Sequence, residues 1–139
     1  MGMENERAKL FTDGACRGNP GIGGAGAVIT DPADRVLWEG RAYLGRCTNN
    51  IAEYQALILG LKGALDRGIK HLDVYLDSEL LANQVNGTYR VKNENLKGLM
   101  REVRGLLSSF ASVEVRHVLR CHNALADRQA NLAIDEHRG

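Results

Sequence analysis

The sequence predicts an α/β fold: a five-stranded mixed sheet, three antiparallel strands followed by two parallel ones, flanked by helices. Three observations predict it. Residues 7–44 hold three strand-like runs separated by turn signals. The hydrophobic period changes to a helical one near residue 50. From there strands and helices alternate, and the order β-β-β-α-β-α-α-β-α places helices on the faces of a mixed sheet.

Each element follows from its residues. Residues 7–13 alternate and end at Asp13-Gly14, a strand running into a turn. Residues 23–30 and 35–44 read as two more strands around a turn at residues 31–34, completing an antiparallel meander. Over residues 50–67, Ile51, Tyr54, Ile58, Leu61 and Leu65 recur at helical spacing, with Thr48 or Asn49 available as N-cap and Gly68 as the stop. Leu72, Val74 and Leu76 alternate with polar partners in a fourth strand ending at Asp77. Ser78 caps a short helix to about Gln84. Leu96, Leu99, Met100, Val103 and Leu107 mark a helix over 94–107, Val113 to Leu119 form a fifth strand, and 124–136 form a last, alanine-rich helix.

Composition narrows the function classes. The chain has 139 residues, a net charge of +1, 44% hydrophobic and 25% charged residues. One globular domain over 1–139 is expected, with 1–6 and 137–139 as flexible ends. Chains of this length bury roughly two thirds of their extended surface, enough for one core. No run approaches the ~18 apolar residues of a membrane span, and the polar N-terminus does not read as a signal peptide. Three cysteines without a Cys-x-x-Cys pair support neither a zinc ribbon nor a disulfide framework, so a reducing, cytoplasmic setting is expected. Near-neutral charge excludes nucleic-acid binding by bulk electrostatics and leaves local patches or metal ions. No conspicuous apolar surface run occurs, and a monomer is expected.

Four acids stand where acids are expensive. Asp13 and Asp77 end strands, the usual site position in open α/β sheets. Glu53 lies in the first turn of a helix, on the stripe of Leu57, Gly60 and Ala64. Asp127 heads the stripe of Ala130 and Ile134. Taken singly, the aspartates at strand ends read as turn or cap residues, and Glu53 and Asp127 as helix-dipole partners. Taken together, they sit on elements able to converge at one sheet edge. Converged carboxylates repel unless cations neutralise them. An all-oxygen cluster selects hard cations, Mg²⁺ first and Mn²⁺ as a possible substitute. Two such ions about 3.5–4 Å apart hold the attacking and leaving oxygens of a phosphoryl transfer.

Four stretches then resemble type 1 ribonuclease H, from Phe11 to about Ala133: Phe11 to Gly21, Thr48 to Tyr54, Tyr75 to Ser78, and Asn123 to Ala133. The resemblance implies a ribonuclease H-like fold and an endonuclease that cuts the RNA strand of RNA–DNA hybrids with two divalent ions, leaving 5′-phosphate and 3′-hydroxyl ends. It implies that Asp13, Glu53, Asp77 and Asp127 are the catalytic, metal-binding set. Asn19 and Asn50 match residues that contact the hybrid minor groove and its 2′ hydroxyls, and Thr48 and Asn49 match residues that hold a DNA phosphate. Gly14, Cys16, Ser78 and Asn123 complete the substrate-contacting set that it suggests. Capping and phosphate contact are compatible roles for Thr48, because both use the free donors of a helix N-terminus.

The chain departs from many relatives. The connection Leu119-Arg-Cys-His-Asn123 is short and resembles a compact branch without the long histidine loop. His122 is the candidate substitute for that histidine, against a bland reading as a surface residue. His117 reads as packed on the face of Val113, Val115 and Leu119. Glu79 stands where relatives carry a substrate-touching Gln or Lys. The basic protrusion is missing too, leaving Arg90, Lys92, Lys97, Arg101 and Arg104 as a stripe that either follows the DNA backbone or is simply solvated.

Gly21-Ile-Gly-Gly-Ala-Gly26 matches the dinucleotide fingerprint only formally, because it leads into a strand, and no organic cofactor is expected. Cys121 and His122 with His117 offer too few ligands for a soft metal. Two rivals to hybrid hydrolysis stand: a broader nuclease that also cuts double-stranded RNA, and a hybrid-binding module without turnover.

Overall fold

The computed structural model describes residues 7–138. Strand β1 spans Ala8–Gly18, β2 Gly21–Thr30 and β3 Val36–Cys47. Helix α1 spans Asn49–Asp66, β4 His71–Leu76, α2 Glu79–Val85, α3 Glu94–Leu107, β5 Ser112–His117 and α4 Ala124–Arg138. The sheet runs β3-β2-β1-β4-β5. Strands β1 to β3 pair antiparallel, while β4 joins β1, and β5 joins β4, in parallel.

Alternation in β1 divides the molecule. Ala8, Leu10 and Thr12 are buried on the face that meets α1, where a Cβ at Gly60 would stand 2.7 Å from Leu10 and 2.8 Å from Thr12. The stripe of Leu57, Gly60 and Ala64 thus packs its helix close to the sheet, as its small residues predict. On the other face, Cβ atoms at Gly24 and Gly26 would meet α4 backbone at 2.3 Å, so these glycines let α4 lie directly on β2. The core between α1, α2, α3 and the sheet holds Leu10, Ile29, Tyr54, Leu61, Val74 and Val103. Its buried phenol is satisfied, the Tyr54 hydroxyl donating to Gln84 Oε1 at 2.7 Å.

Several expectations shift. Strand β1 does not stop at Asp13-Gly14; it continues to Gly18, pairing Asp13 with Gly26 and Gly14 with Ala25. The glycine that reads as a turn signal is a packing site instead, since a Cβ there would stand 2.3 Å from the Ala52 backbone. The hairpin turn lies at Gly18 to Gly21, with Gly18 at φ +101. Because α1 begins at Asn49, Glu53 lies in its second turn, too far in for a first-turn dipole partner. Strand β5 ends at His117, and His117, at the end of this edge strand, is exposed, not packed. Helix α4 extends past the expected end at 136 to Arg138, with His137 stacked on Tyr43 at 3.6 Å between ring centroids, so 137 and 138 are helix. The expected flexible segment 1–6 and Gly139 lie outside the described residues. No described helix is long and apolar enough to cross a membrane.

Candidate active site

Four separate elements bring the acids together. Asp13 lies on the α4 face of β1 and is 3% exposed. Parallel pairing matches Thr12 with Leu76, so the next residues, Asp13 within β1 and Asp77 just past the end of β4, stand side by side. Gly14 admits the first turn of α1 onto the β1 backbone, and its N–H donates to the Glu53 carboxylate. One carboxylate oxygen from each of Asp13, Glu53 and Asp77 lies within 4.8 Å of the others. Asp127 enters from α4, and the Asp13 carboxyl donates to it. All four line one open cleft of about 480 Å³.

Crowding shows in their protonation. Burial first, then the charges of Glu53 and Asp77, push the Asp13 carboxyl up to about 9. Burial and Asp77 push Glu53 up to about 7, opposed by its bonds with Asp13 and the Gly14 N–H and by the nearby charge of Arg120. Carboxyls that retain protons at neutral pH are a site that lacks compensating positive charge. Among the described residues no histidine or cysteine joins this three-residue cluster. An all-carboxylate donor set of this span fits a hard divalent cation.

The remaining candidates separate by position. Gly14, Cys16, Asn49, Asn50 and Ser78 line the carboxylate cleft. Asn19, Thr48 and Asn50 line an adjoining polar hollow of about 280 Å³. Thr48 is the N-cap of α1, its hydroxyl accepting from the Ile51 N–H at 3.3 Å, while Asn49 is inside the helix and its N–H donates to Asn19 Oδ1 at 3.1 Å. Asn123 is 1% exposed and is not among the residues lining the cleft. Its Nδ2 donates to Asp77 Oδ2 and to the Thr12 carbonyl, each at 2.9 Å, so it aims Asp77 from beneath. His122 is exposed in a small hollow of about 150 Å³ with Phe11 and Leu125, outside the carboxylate cleft. Glu79 is exposed and is not among the cleft-lining residues.

Four contributors escaped the sequence reading. Arg120, two residues before His122, does line the cleft and faces Glu53. Its signal was available as a basic residue in the short connection. Asn131 Nδ2 donates to the Asp127 carbonyl at 3.0 Å and to its carboxylate at 3.4 Å, a pair visible as i,i+4 spacing on α4. Asn93 and Asn95, at the N-terminus of α3, line the polar hollow opposite Thr48. No local pattern predicts that two helix N-termini meet there.

Comparisons with known proteins agree with this geometry. Residues 11–133 match a family model described as "Reverse transcriptase-like". A bifunctional protein of Mycobacterium tuberculosis is 42% identical over 91% of this chain, which spans 35% of that relative's length. Ribonuclease HI of Halobacterium salinarum is 37% identical over 94% of the chain, here covering 65% of the relative, and the crystal structure of that organism's ribonuclease H1 superposes with a TM-score of 0.91, covering 94% of this chain and 98% of that one. A ribonuclease H1 named LC11, solved in complex with an RNA/DNA hybrid, superposes with a TM-score of 0.90 at 38% identity, covering 96% of this chain and 100% of that one. With the family model, the relatives and the solved folds all matching over nearly the whole chain, this protein belongs to the type 1 ribonuclease H family.

Proposed function

We propose that the protein hydrolyses the RNA strand of RNA–DNA hybrids at the carboxylate cleft, leaving 5′-phosphate and 3′-hydroxyl ends. The observation that carries this is the convergence of Asp13, Glu53 and Asp77 within 4.8 Å, with Asp127 bonded to Asp13. The fold match to a relative solved with a hybrid supports the substrate. Asp13, Glu53, Asp77 and Asp127 would hold two Mg²⁺ ions, or Mn²⁺ in their place. Bound there, such ions supply Lewis-acid activation of water and stabilise the leaving 3′ oxygen.

The chain's own residues do the rest. Asn123 and Asn131 hold the Asp77 and Asp127 carboxylates in place, so little reorganisation is needed during reaction. Arg120 places positive charge beside Glu53, where a scissile phosphate would sit. Asn50 lies on both the cleft and the hollow, and with Asn19 it offers amide donors and acceptors to minor-groove 2′ hydroxyls. The N-terminus of α1, whose Asn50 N–H is not taken up by its cap, together with the polar side chains of Thr48, Asn93 and Asn95, offers a seat for a phosphate of the DNA strand. The exposed Arg101 and Arg104 of α3 line a separate groove with Tyr89 and Lys97 and offer further positive charge to a nucleic-acid backbone.

Labelled hybrid, duplex RNA and duplex DNA, each incubated with Mg²⁺, Mn²⁺ or EDTA, test the reading. The expected result is metal-dependent cleavage of the hybrid's RNA with 5′-phosphate ends. Comparable cutting of duplex RNA would establish the broader nuclease, and binding without products would establish a binding module.

A further inference from the structure

Cys16 and Cys47, 31 positions apart, meet at the rim of the cleft. Cys16 lies near the end of β1 and lines the carboxylate cleft; Cys47 ends β3, one residue before the α1 cap Thr48. The Cys16 thiol donates to the Cys47 carbonyl at 3.2 Å and to the Gly18 carbonyl at 2.6 Å. Gly23, the β2 partner of Cys16, makes room for the second sulfur, since a Cβ there would stand 2.4 Å from Cys47 Sγ. Burial, and then the adjacent Cys16 thiol, push the Cys47 thiol up. Both cysteines are free and half-buried, while Cys121 is exposed in a different hollow.

We propose that Cys16 and Cys47 are a redox-active dithiol whose disulfide staples β1 to the β3–α1 junction and slows turnover in the neighbouring cleft. The oxidant is a small disulfide of the glutathione class. Cys16, which faces the cleft, attacks it as thiolate, forming a mixed disulfide and releasing one thiol. Cys47 then attacks the Cys16 sulfur, forming the internal disulfide and releasing the second thiol. Two protein thiols are oxidised, one external disulfide is reduced, and both protons end on the released thiols. Closure brings the sulfurs to about 2.05 Å, which draws together the strand carrying Asp13 and the segment carrying Thr48. Displacements of about 1 Å at such a site cost up to about 10²-fold in rate.

The effect on turnover rests on the proposed hybrid hydrolysis; bond formation does not. The protein carrying Cys121→Ser is treated, folded, with oxidised glutathione and read by intact mass and peptide mapping. The expected product has lost two hydrogens, yields a cross-linked peptide joining residues 16 and 47, and reverts with dithiothreitol. Hybrid cleavage falls by about tenfold or more and recovers on reduction. Adding Cys47→Ser is expected to leave a stable glutathione adduct on Cys16. Separate adducts on both cysteines, or no reaction in the folded protein, overturns the dithiol. A cross-linked protein that cleaves at the reduced rate overturns the effect on the cleft. If the reduced protein does not cleave hybrid at all, the activity reading fails while mass still decides the disulfide.

Discussion

Asp13 carries the heaviest electrostatic load of any residue in the cleft, being nearly buried and facing Glu53 and Asp77. Asp13→Asn removes that repulsion and one of the proposed metal ligands together. Hybrid cleavage is expected to fall by about 10³-fold or more, while the metal-free melting temperature rises by about 3–5 °C. A clear drop in metal-free melting temperature would contradict the repulsion argument. Arg120 and His122 separate just as sharply. Arg120→Ala should lower kcat/KM by about tenfold to hundredfold, with partial recovery in Arg120→Lys. His122→Ala should cost less than about tenfold, since its ring lies outside the cleft. Single-turnover rates on the two variants decide between them, and the reverse ranking would make His122 the catalytic partner. Asn123→Ala strands both the Thr12 carbonyl and Asp77 Oδ2, at a cost of about 1–3 kcal/mol in stability. Its kcat should fall with little change in KM; a variant impaired only in KM would instead place Asn123 at the substrate.

At the scale of elements, the contact that sets the cleft is α1 resting on β1 at Gly14. Gly14→Ala forces a methyl into the Ala52 backbone, which cannot yield as a flexible side chain would. The expected cost is about 3 kcal/mol, with loss of activity beyond the loss of folded protein, because Glu53 moves with α1. Chemical denaturation and activity per folded molecule measure the two effects, and an alanine variant of unchanged stability would sink this account. The same contact explains why β1 is misread from sequence. Asp-Gly is a turn signal in an isolated peptide. Here the glycine answers a helix whose docking depends on residues 38 positions away. His117 makes the converse point: alternation in β5 marks its face as inward, but burial depends on what packs over the end of an edge strand, and there the residue is exposed.

Over the whole molecule, net charge near zero leaves the cleft acids as the dominant local field in a metal-free protein. Asp13 and Glu53 have folded-state pKa values, about 9 and about 7, above those of unfolded carboxylates. The folded state therefore binds more protons than the unfolded one between those limits. Stability from these groups is full below the unfolded pKa, near 4, and is lost as pH rises toward 9. Asp31 and Glu136, held low by Arg35 and Arg41, act in the opposite sense and only at acid pH, so the interval from 6 to 9 isolates the cleft. Metal-free melting temperature should fall across that interval, and Asp13→Asn should flatten the slope. Mg²⁺ should restore more stability at pH 9 than at pH 6, since at pH 6 it must displace protons. Thermal melts in EDTA and in Mg²⁺ test both; a flat metal-free profile would mean the carboxylates do not crowd as the structure places them.

The order of strands and helices was legible in the sequence because periods of 2 and 3.6 are local properties of the chain, and the four acids were legible because each breaks an apolar pattern at an element's end or inner stripe. What no local pattern could reveal is contact between distant segments. That Gly14 receives a helix, that Asn123 props Asp77 from beneath, that Arg120 and not His122 faces the acids, and that Cys16 meets Cys47 all follow from how twisted strands and docked helices close in space. Such contacts are set by the shape of the packed core, which is a property of the folded chain as a whole.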